Sequence, residues 1–580
     1  MTELAADSPV VYRNVKAFTA DPDRPWVAAI AVHDGRFLAT GSLEEVQAAA
    51  ARVAAELAEQ IEGDAVVEEV DLEGNLVLPG IIDAHLHLMG TGEALQRVDL
   101  VRAKSLKEIQ ALVRDHAAAT RPNRWVVGKS WLFDAIPGRE PTAAMIDAVV
   151  SDRPVLLDAN DYHSAWVNTA ALEELGITDS TTDPAGGRIA RDADGKATGF
   201  LEETAAERFA WAHIDRITST EQHQAHLASA VEALTASGIT TVIDMGLGQS
   251  ALETITEAER DGVLGLRVVA HWLMSREGAL PQHLAQVAEA AQLARMHVSD
   301  QFRVTGVKFI VDGVIDGCTA HVSEPYTTGA MPDPIWDYEA LAPVVAAADK
   351  AGLQVALHAI GDAAVRTALD AIENAYRENG SGPAGGPLAG GPLAGGPLAG
   401  SDGAVERRHR IEHIEYCDPA DIARFAALGV TASMQPVHAD PAIQANWRDM
   451  LGPERSPGGF PAAALVASGA RLVLGTDAPT APYAPLPNLF IATTRRSALD
   501  PSLPPTEPSN ALPLQDAIRY ATANAAWSCF AEDRLGSIAP GRHADFIVVD
   551  PDVIESDPDR LLDATVLRTV VGGRTVHRQG

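Results

Sequence analysis

Apolar, strand-like runs alternate with amphipathic helical segments through the middle of the chain, and this alternation restricts the fold more than any other feature. Ten such runs lie between residues 76 and 479. Strands that alternate with helices are typical of parallel βα units, and a (β/α)₈ barrel uses only eight strands. Two of the runs, 124–132 and 153–163, lie in a region that also carries the Gly- and Asp-rich passage DPAGGRIARDADGKATGF. We therefore predict a TIM barrel over residues 79–534, with residues 92–220 forming a large insertion after its first strand.

The two ends of the chain have a different character, with short strands separated by turn signals. Asp34-Gly35 and Gly572-Gly573 each stand between apolar runs, as in two-residue hairpins. We predict that residues 1–78 and 535–580 form one composite β-sandwich. A tandem pentapeptide, GGPLAGGPLAGGPLAG, begins at Gly385. Gly and Pro at this density disfavour regular structure, so we predict a disordered surface loop over residues 381–403.

Charge and cysteine usage exclude several classes of protein. The formal net charge of -34 would repel nucleic acids and anionic membranes, so we expect neither as a partner. The three cysteines, Cys318, Cys417 and Cys529, are too scattered for a disulfide framework or a thiolate zinc cluster. No basic and apolar leader or long apolar run is present. We expect a reducing, cytoplasmic compartment.

The first predicted barrel strand carries two histidines in the stretch GIIDAHLHLMG, residues 80–90. Strand alternation places one set of side chains inward, Ile81, Asp83, His85 and His87, and the other set outward, Ile82, Ala84, Leu86 and Leu88. Both histidines then face the C-terminal end of the barrel, where active sites of this fold are built. Taken alone, they could ligate a metal or merely hydrogen-bond a neighbour.

The ends of four other predicted strands also carry residues able to bind a metal. These are Lys308, His358, His413 and Asp477. Each has a structural alternative. His358 could cap the helix that starts near 361, His413 could pair with Glu412 or Glu415, and Asp477 could be an N-cap. Those alternatives do not explain why all of them stand at strand ends of one barrel. The set predicts a site for zinc or a similar divalent metal, with nitrogen and oxygen ligands.

Lys308 is unusual because its strand is apolar, and an unpaired ammonium buried there would be costly. One explanation is a salt bridge to Asp312 or Asp316. The other is chemical: a neutral lysine amine can add carbon dioxide and form a carbamate, an anion whose two oxygens can bridge two metals.

Together these residues resemble the amidohydrolase superfamily, from about residue 75 to about 580. The matching pieces are LPGIIDAHLHL, Lys308, His358, His413, Asp477 and the C-terminal GSIAPGRHADFIVVD. A narrower resemblance, to the amidohydrolase-3 branch that includes N-substituted formamide deformylases, rests on segments such as NDYHSAWVNTAAL, GVKFIVDGVIDGCTAHVSEPY and GTDAPTAPYAPLPNLFIATTRR. The resemblance implies one or two divalent ions, with zinc expected. His85, His87 and Asp477 would hold one ion, His358 and His413 the other, and carbamylated Lys308 would bridge them.

The leading hypothesis is hydrolysis of an amide or formamide C–N bond by a metal-activated hydroxide, with Asp477 as the catalytic base that moves the proton. One alternative is a mononuclear cyclic amidohydrolase or deaminase, in which Lys308 is an unmodified substrate contact. Another is a catalytically inactive binding protein that keeps the barrel. The resemblance also makes a homodimer a possible assembly.

Contacts with a small-molecule substrate are expected from the insertion and the strand-end loops. The candidates are Trp131, His163, Trp166, Asn168, Glu203, His321, Tyr326, His438 and Arg495. His321 and Tyr326 are the preferred pair because they follow Lys308 in the same loop. Asp83, which shares a predicted face with the two histidines, is expected to support them rather than to bind metal.

Overall fold

The computed structural model describes residues 8–61, 66–119, 125–160, 163–380, 406–555 and 557–579. Most of these residues belong to three bodies of secondary structure: a barrel, an insertion and a sandwich. The predicted disordered loop, 381–403, lies outside the described residues.

Eight parallel strands form one sheet in which each strand pairs with the next along the chain. The strands are Ile81–Leu86, Ile239–Leu247, Arg267–Leu273, Phe302–Ile310, Gln354–Ala359, Arg410–His413, Thr431–Met434 and Arg471–Leu474, numbered one to eight below. The amide of Asp477 donates to the carbonyl of His85 at 2.7 Å, so the chain after strand eight returns to strand one. The predicted TIM barrel and all eight of its strands are confirmed.

Helices surround the barrel and cover its apolar outer surface. They include Leu88–Leu95, Thr220–Ala236, Gln249–Arg260, Leu280–Met296, Tyr338–Lys350, Asp362–Asn379, Pro419–Leu428, Trp447–Leu451, Ala462–Ala467, Pro485–Thr494, Leu514–Tyr520, Ala523–Ser528 and Arg560–Asp563. Local sequence sets several of their ends: Ser219 and Gln222 form a capping box at the start of Thr220–Ala236, and Gly429 closes Pro419–Leu428 in a left-handed conformation. None of the described helices combines the length and the apolar character needed to cross a membrane.

Strand one departs from strict alternation. Ile82 and Ala84 pack with Val269, Ala356 and Val473, residues of strands three, five and eight that can meet only inside the barrel. The expectation that Ile82 and Ala84 face the outer helices is therefore wrong. The pairing of strand one with strand two shifts register at this point, since Val242 and Asp244 pair with Asp83 and Leu86. An extra residue of this kind is a β-bulge, which re-aims the side chains beside it.

The insertion after strand one forms its own mixed sheet of six strands. In spatial order these are Gly187–Arg191, Ala197–Glu203, Ser164–Val167, Val155–Ala159, Val126–Trp131 and Val98–Asp99. Short helices accompany the sheet at Leu106–Ala119, Ala143–Asp147, Thr169–Glu174 and Ala212–Ile217. The two surplus runs seen in the sequence are the strands Val126–Trp131 and Val155–Ala159, so the inference of an inserted region after the first barrel strand is confirmed.

Two further sheets form the predicted sandwich from both termini. One contains Arg36–Gly41, Ala29–His33, Val10–Arg13 and Glu68–Asp71, and the other Arg574–Arg578, Thr565–Val571, Phe546–Asp550, Leu76–Pro79, Lys16–Phe18 and Trp26–Val27. The helix Leu43–Ile61 packs on the first sheet. Side chains of both sheets, including Tyr12, Phe37, Val77 and Phe546, form a common core. The antiparallel pairing of Leu76–Pro79 with Phe546–Asp550 joins the two ends of the chain.

Candidate metal centre

The structure brings all six predicted ligands together at the C-terminal end of the barrel. Nε2 of His85 lies 3.2 Å from Oδ1 of Asp477, and Nε2 of His87 lies 3.4 Å from the same oxygen. Nζ of Lys308 is 3.5 Å from Nε2 of His85. Nδ1 of His413 is 4.0 Å from Oδ2 of Asp477. The ring of His358 completes the group, with its centroid 4.4 Å from that of His413. We call these six residues the candidate metal centre.

Burial and backbone conformation distinguish this centre from an ordinary polar cluster. His85 is fully buried, whereas the side chain of His87 is 35% exposed and marks the side that opens to solvent. His413 and Asp477 have positive φ angles of 75° and 58°, in the region that side chains rarely adopt. Strain of this kind costs about 1–3 kcal/mol per residue and clusters at functional sites.

The charge states in the centre favour ligation. Burial, together with nearby positive groups, holds the pKa of His358 and of His413 well below the usual value, which favours the neutral form that binds metals. Burial also lowers the pKa of Lys308 to about 8, although the charges of Glu412 and Asp477 oppose the shift. Burial acts to raise the pKa of Asp477, but the charge and hydrogen bonding of His85 outweigh it and keep that pKa well below its usual value.

A buried charge network behind the centre orients His85. Nδ1 of His85 lies 2.7 Å from Oε2 of Glu412, so Nε2 is turned toward Asp477. Arg410 donates from Nε to Oε1 of Glu412 at 2.7 Å and from Nη2 to the carbonyl of Ala84, also at 2.7 Å. All three side chains are fully buried. A carboxylate that fixes the ring of a ligating histidine is a common feature of metal sites.

Two carboxylates support the backbone of the centre. Asp83 accepts from the amides of His85 and Thr476, at 3.1 and 3.0 Å, and so ties strand one to the chain after strand eight. Its support of the histidines passes through the backbone and not through their rings. Asp312 accepts three backbone amides, including those of residues 360 and 361 after strand five, and lies 3.6 Å from Nε2 of His358.

Several alternatives for the ligands are wrong in this structure. Asp312 holds the backbone beside His358, so it is not the salt-bridge partner of Lys308. The helix Asp362–Asn379 has no side-chain cap, which excludes His358 as its cap. Glu412 contacts His85 and Glu415 contacts His438, so neither is the partner of His413.

Comparison with known proteins places the chain in a family. The model of the Amidohydrolase family matches residues 68–577, which is most of the chain. The chain belongs to the amidohydrolase family. Its relatives include LONG AFTER FAR-RED 3 of Arabidopsis thaliana, 30% identical over 97% of this chain and 91% of the relative. The N-substituted formamide deformylase of Arthrobacter pascens is 26% identical over 99% of this chain and 98% of the relative. A solved uncharacterized metal-dependent hydrolase of Pyrococcus horikoshii aligns with a TM-score of 0.72 and 26% identity, covering 95% and 99% of the two chains.

Family membership confirms the predicted hydrolase class, and the side chains of this amidohydrolase fit a divalent metal. Donor atoms of His85, His413 and Asp477 lie within 4.8 Å of one another. Within the described part of the chain, Nδ1 of His413 is buried without a hydrogen-bond partner, and Oδ1 of Asp477 faces the imidazole nitrogens of His85 and His87. Buried polar atoms are rarely left unpaired, and neutral imidazoles with an ionised carboxylate are the donors that zinc and similar ions take.

Three of the predicted substrate contacts flank this centre. His163 comes from the insertion, bonds Oε2 of Glu203 through Nδ1 at 2.8 Å and has its ring 6.0 Å from that of His358. His438 lies parallel to His413, with Nε2 at 3.5 Å from Oδ2 of Asp477 and Nδ1 at 2.9 Å from Glu415. Burial pulls down the pKa of His438, but the hydrogen bond and charge of Glu415 raise it overall.

Most of the other predicted contacts use their polar atoms elsewhere in the amidohydrolase. Trp131 and Trp166 are fully buried in the insertion and donate to the carbonyls of Leu157 and Thr142, and Asn168 caps the helix Thr169–Glu174. The preferred pair bonds within its own loop, Tyr326 to the carbonyl of Ala320 and His321 to that of Pro332. Arg495 follows the helix Pro485–Thr494 and is 3% exposed. Contact of these residues with a substrate stays a prediction.

Sequence reasoning did not assign a role in the site to Glu412, Arg410 or Asp312. A usable signal was present for the first two. Arg410 and Glu412 stand two residues apart in the short strand RIEH, so they share a face. Charged residues are rarely fully buried unless paired, and a matched pair within a barrel strand therefore points to an internal ion pair.

Proposed function

We propose that this amidohydrolase hydrolyses the C–N bond of an amide or N-substituted formamide, with a divalent metal, expected to be zinc, at the candidate metal centre. The observation that carries the proposal is the convergence of four histidines, Asp477 and Lys308, whose donor atoms are buried and face one another. Similarity along nearly the full chain to an N-substituted formamide deformylase supports the substrate class.

The roles of the residues follow from their positions. His85, His87 and Asp477 would hold one ion, and His358 and His413 a second. A divalent metal held there supplies a Lewis acid that polarises a carbonyl group and lowers the pKa of water from about 15.7 toward about 7. The carboxylate of Asp477 would accept the proton of the attacking water and return it to the leaving nitrogen. The hydroxyl of Thr480 donates to Oδ2 of Asp477 at 2.9 Å and orients that carboxylate.

Lys308 decides between one and two ions. Burial lowers the pKa of its amine to about 8, so the neutral form that can add carbon dioxide and give a carbamate is reached more easily than in an exposed lysine. The second candidate is a mononuclear cyclic amidohydrolase or deaminase with an unmodified lysine. The close grouping of His85, His413 and Asp477, which suits a single ion, favours that candidate. Electron density at Lys308, with the number of ions per chain, separates the two.

Substrate contacts are proposed from the two histidines beside the ligands. His163 would form the wall contributed by the insertion, with Glu203 holding its ring. His438 would contact the substrate from the side of Asp477. Both histidines lie beside the side chains proposed to hold the metal, and the residues that contact a scissile bond must lie close to that metal.

Metal removal should abolish amide hydrolysis reversibly. We expect purified protein to contain stoichiometric divalent metal, and treatment with dipicolinate to remove both the metal and the activity. Zinc, cobalt or manganese should restore turnover of a substrate found in a screen of N-formyl, N-acyl and cyclic amides. Metal content is measured by elemental analysis, and turnover in the screen is monitored as release of an amine. Activity confined to esters or phosphoesters would contradict the proposed substrate class, and full activity without metal would contradict the mechanism.

Replacement of Gly246 by alanine should weaken metal binding without unfolding the protein. A Cβ at this position of strand two would lie 2.5 Å from Nδ1 of His87, so the imidazole must move. Displacing a ligand through its surroundings typically costs about 10–100-fold in metal affinity. The affinity is measured by competition with a chromophoric chelator. Gly248→Ala is the matched control, because a Cβ there meets nothing within 4 Å. Equal affinities in the two variants would argue against His87 as a ligand.

A further inference from the structure

A small cavity lies at the same end of the barrel as the candidate metal centre but shares no residue with it. We call it the Arg495 cavity; its walls include Met434, Gln435, Phe460, Leu474, Arg495 and Leu512. Met434 and Leu474 are the last residues of strands seven and eight. The segments that follow those strands supply His438 and Asp477. The cavity therefore lies at the same end of the barrel as the site and is lined by other residues.

Three polar side chains line the cavity, of which Asn510 is half-buried and the other two, Gln435 and Arg495, are buried and only partly bonded. Gln435 is 1% exposed and Arg495 is 3% exposed. In the described part of the chain, Nη2 of Arg495 and both amide atoms of Gln435 have no hydrogen-bond partner. Buried polar groups are rarely left unpaired, and a charged group least of all, so their unused atoms point to an occupant.

The charge of Arg495 also lacks a partner. Its Nε donates to the carbonyl of Thr506 at 3.0 Å, and its guanidinium lies 5.8 Å from the ring centroid of Phe460. Within the described residues, Arg495 forms no ion pair, and the charge of Glu507 acts on it without forming one. Burial lowers the pKa of Arg495 to about 10, and the charge of Glu507 opposes this only in part. A buried guanidinium without a counter-charge is strongly unfavourable.

The size and lining of the cavity narrow the occupant to a small organic anion. It offers about 20 Å³, whereas a single water needs about 10–15 Å³ on the same measure. Two separate donors, Nη2 of Arg495 and the amide of Gln435, match the two oxygens of a carboxylate better than a spherical halide. The remaining walls are mostly apolar and suit a hydrogen or a methyl group.

We propose that the Arg495 cavity binds a short-chain carboxylate of the size of formate or acetate. Arg495 neutralises its charge, and the amide of Gln435 donates to its second oxygen. This inference does not rest on the proposed function, because none of the cavity residues belongs to the candidate metal centre. Amide hydrolysis would nevertheless release a ligand of this class close to the cavity.

Isothermal titration of the metal-loaded full chain with sodium formate and sodium acetate tests the proposal, with sodium chloride holding the ionic strength constant. We expect saturable binding of at least one of the two carboxylates to wild-type protein. Arg495→Met should weaken this binding at least tenfold. The neighbouring Arg496 is the matched control, because it is 41% exposed and paired with Asp559. Arg496→Met should bind as the wild type does.

Two further measurements keep the test decisive. Gln435→Leu, which removes the second donor without touching the charge, should weaken carboxylate binding and so serves if Arg495→Met does not fold. A crystal structure grown in acetate should show the carboxylate against Arg495. Carboxylate binding that survives in Arg495→Met would place the ligand at the metal and overturn the proposal. Equal stabilisation by chloride, or a cavity that holds only water, would overturn it as well.

Discussion

Asp477→Asn is expected to lower kcat/KM for amide hydrolysis by about 10³-fold or more, while the protein remains folded. General acid–base catalysis by one side chain contributes about 10²–10⁴-fold, and an asparagine amide cannot accept the water's proton. Oδ1 of Asp477 lies 3.2 Å from Nε2 of His85 and 3.4 Å from Nε2 of His87, so this carboxylate stands among the side chains that would hold the metal and its water. The rate is measured at saturating metal, so that weaker ligation by the amide does not account for the loss.

An exposed aspartate provides the control for this prediction. The side chain of Asp533 is 66% exposed and lies in a segment that contributes nothing to the centre. Asp533→Asn should therefore retain wild-type kcat/KM. Metal analysis and circular dichroism of both variants separate a catalytic defect from a loss of metal or fold. If metal-loaded Asp477→Asn keeps more than about a tenth of the wild-type rate, Asp477 is not the group that transfers the proton.

The barrel and the grouping of the candidate ligands could be predicted because local sequence carries them. Each strand is a short apolar run, and a barrel orders such runs along the chain, so counting them was enough to separate the insertion from the eight strands. The candidate ligands stand at strand ends, and parallel strands bring those ends to one rim. Their meeting could therefore be predicted without information on long-range contacts, for His85, Lys308, His358, His413 and Asp477.

What the sequence did not predict depends on contacts between elements that are far apart in the chain. Glu412 on strand six reaches His85 on strand one across the barrel interior, and periodicity within a strand does not encode such a pair. The bulge in strand one depends on how strands one and two pair, and it overturned the assignment of Ile82 and Ala84. The approach of His163 to His358 likewise depends on how the insertion packs against the barrel.

Glu412→Gln should destabilise the barrel and weaken metal binding together. Glu412 is the ionised partner of Arg410: burial would raise the pKa of Glu412, but the charge of Arg410 and the bond to His85 hold it well below its usual value. Replacing the carboxylate with a neutral amide leaves the fully buried guanidinium uncompensated, which typically costs about 3–5 kcal/mol. His85 loses the group that fixes its ring, so metal affinity should fall about 10–100-fold. Urea unfolding and chelator competition measure the two effects.

Glu406→Gln is the control for Glu412→Gln, because it removes an exposed carboxylate from the same part of the chain instead of a buried one. Glu406 is 52% exposed and pairs with Arg408, which also bonds Glu532, so Arg408 keeps a counter-charge in the variant. The free energy of unfolding of Glu406→Gln, measured with urea, should change by no more than about 0.5 kcal/mol, and its metal affinity should be unchanged. Glu412→Gln must therefore differ from Glu406→Gln in both measurements. A loss of metal affinity without a loss of stability would mean that Glu412 acts on His85 alone and that Arg410 is neutralised by another group.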